Sequence, residues 1–303
     1  MEWIRGPIIG GGSSATVSLA TSISSGELFA VKSMESSTSM FLRKEQYILS
    51  QLSSPYLMRT GAGLHAINLC MEYVAGGNLQ NLTRRNGGQL IEAVIKAYTR
   101  DILQALDYLH VNRLVHCDIK SQNVLVHQDG SKLADFGCAR YVEENGTAAS
   151  VFSGTTAFMA PEVVRGEEQG YPADVWAVGC TVIEMATGTS RWAELTDPVS
   201  ALYRIGFSGE VPEFPSSFSD QRKDFLSKCL NRDPIERWTA KELPQHPFLK
   251  DSDKSHYCSR EIGESNTSAS SSCVLTMDFG IQWRPVIMIQ QLMKLFWIFW
   301  QRG

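Results

Sequence analysis

The 303-residue sequence predicts an α+β fold of two lobes, on three observations. Short apolar runs separated by turn residues fill its beginning. From about residue 92 apolar positions recur every three or four residues, and one stretch, 174–188, is apolar nearly all round. A strand-rich start and a helix-rich remainder imply a cleft between the lobes. At 43% hydrophobic and 20% charged, the chain can build a sizeable core and is neither disordered nor fibrous. Twenty-eight Lys and Arg against 32 Asp and Glu leave a net charge of −4. That balance argues against a protein that coats nucleic acid.

Residues 8–34 read as three strands with a glycine loop and a tight turn between them: IIGGGSSATVSLA, then SSGE, then LFAVKSM. A helix is expected near 38–52, with Phe41, Leu42, Ile48, Leu49 and Leu52 on its buried side. INLCMEYV (67–74) reads as a buried strand, broken by Gly76 and Gly77. Val94, Tyr98, Ile102, Leu106 and Leu109 mark one face of a helix. The 174–188 helix should run through the middle of its lobe. Pro234, Pro244 and Pro247 punctuate short helices up to 246–249.

The end of the chain changes character. Residues 251–273 hold eight serines and almost no apolar periodicity, which predicts a flexible segment. Residues 286–300 contain 12 apolar residues in 15. As a helix that stretch is about 22 Å long, short of the ~30 Å hydrocarbon core, so no spanning segment is expected. Gln290, Gln291 and Lys294 would share one face. This leaves open a helix docked on the chain's own surface, a membrane-surface or partner helix, and an atypical gene end. The seven cysteines form no C-x-x-C pair and read as reduced, buried thiols. The N-terminus lacks a signal peptide's apolar stretch, so the expected compartment is intracellular: cytoplasm, with the nucleus as a second site.

Gly10-Gly11-Gly12-Ser13-Ser14-Ala15-Thr16-Val17 is a glycine-rich turn between strands. Small residues let backbone N–H groups approach phosphate oxygens. Glycine turns between strands are common, so alone this is weak. No helix opens after it and no G-K-[ST] follows, which removes the dinucleotide and P-loop readings. Lys32 ends the strand FAVK, and Glu45 on the next helix is the carboxylate that would position it. Strand lysines are usually just solvated. The decisive stretch is His116-Cys117-Asp118-Ile119-Lys120-Ser121-Gln122-Asn123, followed by Asp135-Phe136-Gly137. It supplies one base and two hard oxygen ligands of the kind Mg²⁺ takes.

This pattern resembles the catalytic and magnesium loops of eukaryotic protein kinases. Gly10-x-Gly12-x-x-Ala15-x-Val17, Ala30-Val31-Lys32, Ala160-Pro161-Glu162 and Asp174-x-Trp176-x-x-Gly179 complete the series in order. The resemblance covers 3–249. It implies the bilobal protein-kinase-like fold: a small antiparallel β-sheet lobe with one helix (about 3–73) and a larger helical lobe (about 74–249). A Ser-rich segment (250–285) and an apolar segment (286–303) follow. Lys120 and Thr155 resemble the serine/threonine branch. GTTAFMAPEVV (154–164) is similar to the signature of mitogen-activated protein kinase kinase kinases, and several blocks resemble the plant members with short N-termini.

The resemblance implies a role for each matching residue. Backbone amides of Gly10–Ala15, Ser13 included, cover the phosphates of ATP, and Val17, Ala30 and Leu125 belong to the nucleotide site. Lys32, positioned by Glu45, holds the α- and β-phosphates. Met71 guards the adenine pocket, and backbone groups of Glu72 and Val74 bind the adenine edge. Asp118 accepts the proton of the substrate hydroxyl, Lys120 stabilises the γ-phosphate, and Asn123 and Asp135 coordinate Mg²⁺. Glu162 pairs with Arg237 as a brace. The implied substrates are mitogen-activated protein kinase kinases. A pseudokinase or scaffold is the rival reading, and a membrane-associated adaptor rests only on the tail.

Three positions depart from the family pattern. Ala15 replaces the third glycine, a small change. Cys117 stands where many kinases carry Arg, and a cysteine cannot make bidentate charge-assisted bonds to a phosphorylated loop. Activation is therefore expected not to depend on a phosphate docking there, with Thr147, Ser150 and Ser153 as the residues to watch. Thr156 replaces the signature's proline, which is expected to loosen the substrate-binding turn. Finally, RTGAGLHAI (59–67) leaves scant room for the usual strand pair, so the upper sheet is expected to be trimmed.

Overall fold

The computed structural model describes residues 2–12, 15–34, 39–65, 68–142, 153–190, 197–212, 214–250 and 278–279. In the small lobe β1 (Trp3–Gly12), β2 (Ala15–Ser22) and β3 (Leu28–Met34) form an antiparallel meander. Their alternation sends Val17, Ala30 and Met34 into one buried cluster with Leu42 of α1 (Ser39–Ser50). β4 (Thr60–His65) and β5 (Asn68–Glu72) complete the lobe.

The upper sheet is not trimmed. β4 pairs antiparallel with β5 at Thr60↔Met71, Leu64↔Leu69 and His65↔Asn68, with an irregularity between the first two pairs. Two more residues lie on the β4 side of that gap than on the β5 side, so a bulge absorbs the awkward length. Gly61 and Gly63 fall within it.

The large lobe follows with α2 (Leu79–Arg85) and α3 (Glu92–Val111). The expected face of α3 is the buried one: Val94, Tyr98, Ile102, Leu106 and Leu109 all lie inside. Short strands β6 (Leu114–Val115), β7 (Val124–His127), β8 (Gly130–Leu133) and β9 (Arg140–Tyr141) carry the loops that matter for chemistry. α4 (Pro161–Arg165) and α5 (Tyr171–Thr187) come next. Every residue of α5 from Ala173 to Ala186 is buried, which is why that stretch is apolar on all sides. Gly179 lets α5 approach Leu230 closely: a methyl there would sit 2.7 Å from that side chain. α6 (Pro198–Phe207), α7 (Asp220–Cys229) and α8 (Pro247–Lys250) close the lobe.

A last strand, β10 (Asp278–Phe279), runs parallel to β1 opposite Gly11 and Gly12, so the sheet order is β10-β1-β2-β3-β5-β4. The rest of the Ser-rich and apolar tail lies outside the described residues. Among the described residues no helix is long and apolar enough to cross a membrane.

The lobes are joined by apolar contact as well as by chain. The small lobe's cluster includes Leu125 and Ala134 from the large lobe. The segment after α1 is tied to β8 by Met58 N–H to the Leu133 carbonyl (2.9 Å) and Leu133 N–H to the Tyr56 carbonyl (2.8 Å). Cys70, Cys117, Cys138, Cys180 and Cys229 are free and buried.

Candidate active site

A cleft of about 550 Å³ of empty space, open to solvent, lies between the lobes. It is lined by Val17, Ala30, Lys32, Glu45, Met71, Glu72, Val74, Leu125 and Asp135, all expected from the sequence, and by Ile9, Met58, Tyr73, Gln122 and Ala134, which were not. Neither Gly10 nor Gly11 is among the residues that line it. They continue β1, with Gly10 opposite Val17 and Gly11 opposite Thr16, so the expected glycine loop is largely strand. Ala15 is buried in the lobe's cluster, and Ser13 lies outside the described residues. The Glu72 N–H is already taken by the Arg59 carbonyl at 3.0 Å.

Lys32 reaches across the cleft. Its Nζ is 2.7 Å from Glu45 Oε2 and 2.8 Å from Asp135 Oδ1, with all three side chains buried. Burial alone would lower the Lys32 pKa, but Asp135 and Glu45 outweigh it and hold the ammonium above its ordinary value. Burial likewise opposes ionised Asp135, and Lys32 overcomes it, keeping that carboxyl below the usual range. For Glu45 burial wins and pushes the carboxyl up. The other Glu45 oxygen accepts from Phe136 N–H at 3.1 Å, so α1 is bonded to the backbone next to Asp135.

Around Asp118 the bonds are dense. Asn123 Nδ2 donates to the Asp118 carbonyl (2.8 Å) and to its Oδ2 (3.0 Å). Lys120 Nζ lies 3.0 Å from Asp118 Oδ2 and donates to Thr155 Oγ1 at 2.7 Å. The Thr155 hydroxyl donates in turn to Asp118 Oδ1 at 2.9 Å. Thr155 thus brings the 153–159 stretch onto the candidate base. The Thr156 substitution does not undo the following turn: Phe158 N–H bonds the Thr155 carbonyl at 2.9 Å and Met159 N–H the Thr156 carbonyl at 3.1 Å.

The loop carrying Asp118 is pinned from beneath. Asp174, in the first turn of α5, accepts from the N–H groups of His116 and Cys117, both at 2.9 Å, and faces His110 Nε2 at 3.1 Å. These bonds hold Cys117 at φ 67, a left-handed conformation costing an ordinary residue roughly 1–2 kcal/mol. Burial lowers the His116 pKa, leaving a neutral ring. Its Nε2 bonds the Ala134 carbonyl at 3.2 Å, and its Nδ1 accepts from Asp118 N–H at 3.3 Å. Burial pushes the Cys117 thiol up to about 12. The brace is present too: Arg237 makes two bonds to Glu162, at 2.6 and 2.7 Å, with both side chains inside the protein.

The residues present fit a nucleotide with Mg²⁺. Asn123 Oδ1 is buried without a hydrogen-bond partner, an arrangement that is costly unless something else occupies that oxygen. Mg²⁺ is commonly held by one or two protein oxygens plus substrate phosphates, and Asn123 with Asp135 is such a set.

The comparisons agree with this geometry. A family model described as the protein kinase domain matches residues 3–249. Mitogen-activated protein kinase kinase kinase 18 of Arabidopsis thaliana is 51% identical over 265 residues, covering 82% of this chain and 78% of the relative. Mitogen-activated protein kinase kinase kinase 17 of the same plant is 49% identical, covering 82% and 70%. Number 20 is 38% identical over 303 residues, covering 92% and 88%. The chain belongs to the protein kinase family, as a serine/threonine kinase of the mitogen-activated protein kinase kinase kinase type.

Proposed function

We propose that this kinase transfers the γ-phosphoryl group of ATP to serine or threonine of mitogen-activated protein kinase kinases. The observation that carries the chemistry is the trio of Glu45, Lys32 and Asp135 closed across the cleft beside Asp118. Lys32 would hold the α- and β-phosphates, while Met71, Glu72 and Val74 would frame the adenine. Asp118 would take the proton of the acceptor hydroxyl. Lys120 would steady the group in transfer. Asn123 and Asp135 would hold Mg²⁺, which when bound neutralises charge developing on the phosphates. The relatives' names supply the acceptor class. A reducing, intracellular site of action suits the buried free thiols.

The test is transfer of label from ATP with Mg²⁺ by the full chain to a catalytically dead mitogen-activated protein kinase kinase, compared with Asp135→Asn. Label on the acceptor's Ser or Thr with wild type alone is the expected result. Folded, ATP-binding protein that labels no acceptor would return the pseudokinase reading.

A further inference from the structure

Gln169 lies between α4 and α5 and is 6% exposed. A neutral amide this deep has to find partners, and it finds them on other segments. Its Nε2 donates to the Ser153 carbonyl at 3.0 Å and to the Cys117 carbonyl at 3.5 Å, and its Oε1 accepts from Ser153 N–H at 3.4 Å. One side chain thus engages both backbone groups of Ser153, as a neighbouring strand would. The Gln169 carbonyl accepts from Arg140 Nη2 of β9. The residue after Ser153 is pressed against the same loop: Gly154 has φ 116, and a methyl there would stand 2.4 Å from the Cys117 carbonyl. Thr155 then reaches Asp118 and Lys120.

We propose that Gln169 is a positioning residue that latches 153–155 onto the catalytic loop without a phosphate, and so sets the protein acceptor against Asp118. The inference rests on the kinase reading and adds how its acceptor side is held. Cys117 offers a phosphate no charge-assisted bond. Its backbone carbonyl, bonded by Gln169, makes the connection instead. The nucleotide cleft contains no residue from 153–169, so losing the latch should disturb the acceptor and spare ATP.

The experiment uses full-length protein stripped of phosphate by a Ser/Thr phosphatase, then freed of that enzyme. Wild type is compared with Gln169→Leu and with the isosteric Gln169→Glu, which accepts but cannot donate at neutral pH. Dephosphorylated wild type should keep its transfer activity. Both variants should show a raised acceptor KM and an unchanged ATP KM, with acceptor kcat/KM down by as much as about 10²-fold for Gln169→Leu. A substitution that merely destabilised the fold would lower the active fraction and leave both KM values alone. Hydrogen exchange at the Ser153 amide, read in the same proteins, should lose protection in Gln169→Leu, which removes the oxygen that accepts from it. Unchanged acceptor KM in a folded variant overturns the proposal, as does wild type that is inert until its phosphate is restored. Should wild type label nothing in any state, the kinase reading fails. Ser153 exchange then decides the latch by itself: equal protection in wild type and Gln169→Leu sinks it.

Discussion

Asp118, Lys120 and Asn123 sit on a loop whose backbone is bonded into the large lobe's own core, whereas Lys32 reaches the site from a small-lobe strand and is held by two carboxylates. The large lobe's main cluster runs from α3 through α5 to α8 and takes in Ile48 and Leu49 of α1. The small lobe's cluster is much smaller and is completed by Leu125 and Ala134 of its neighbour. The contrast separates two jobs. One half is a fixed anvil whose geometry the core determines. The other meets it through shared apolar packing and a few polar contacts, and the polar ones are the contacts that can be tuned.

Four perturbations would break or sharpen this contrast. Asp118→Asn should remove the proton acceptor while sparing the fold, lowering kcat by about 10²–10⁴-fold with little change in melting temperature. Phosphotransfer and calorimetry on one preparation check both halves of that statement. Arg237→Met leaves Glu162 buried and unpaired, so urea unfolding should show a loss of about 3–5 kcal/mol, characteristic of the fixed half. Glu45→Gln weakens the grip on Lys32 by the worth of a charged hydrogen bond, about 1.5–3 kcal/mol, and should appear mainly in activity. If it cost the fold as much as Arg237→Met does, the contrast would be wrong.

The smallest effect is the pH dependence of the bridge. The depressed Asp135 carboxyl stabilises the fold above the unfolded carboxylate value of about 3.9, and that help disappears as pH falls through its lower folded value. The raised Lys32 ammonium contributes below about 10.4 and loses its contribution as pH rises through its folded value. The stability gap between wild type and Asp135→Asn should therefore be present at neutral pH and close as pH falls below about 4. Urea midpoints across that range measure it.

The fixed half was the more legible in the sequence. Asp118, Lys120, Asn123 and Asp135 lie within 18 positions, so spacing alone announces their chemistry. The buried face of α3 follows from its apolar period, and the burial of α5 from its being apolar nearly all round. What escaped has no such signature. Met58 lines the cleft through tertiary packing, and nothing in its own neighbourhood marks it, whereas Ile9 directly precedes the glycine run. The β4 bulge escaped because chain length was read as strand length, although an irregular pair stores surplus residues. Gln169 joins segments 16 and 52 positions away through a neutral amide, a contact that neither charge nor periodicity encodes.

The buried thiols turn the contrast into a clock. Cys70 lies in the small lobe's sheet, Cys180 and Cys229 in the interior of the large lobe, and Cys117 and Cys138 beside the catalytic loop. An alkylating pulse can modify each only when its surroundings open, since burial holds Cys180 as thiol with a pKa near 12. Peptide mapping after such pulses would time the breathing of each half in unaltered protein. Cys70 is expected to be modified first, and the Cys180–Cys229 pair only at the pace of global unfolding.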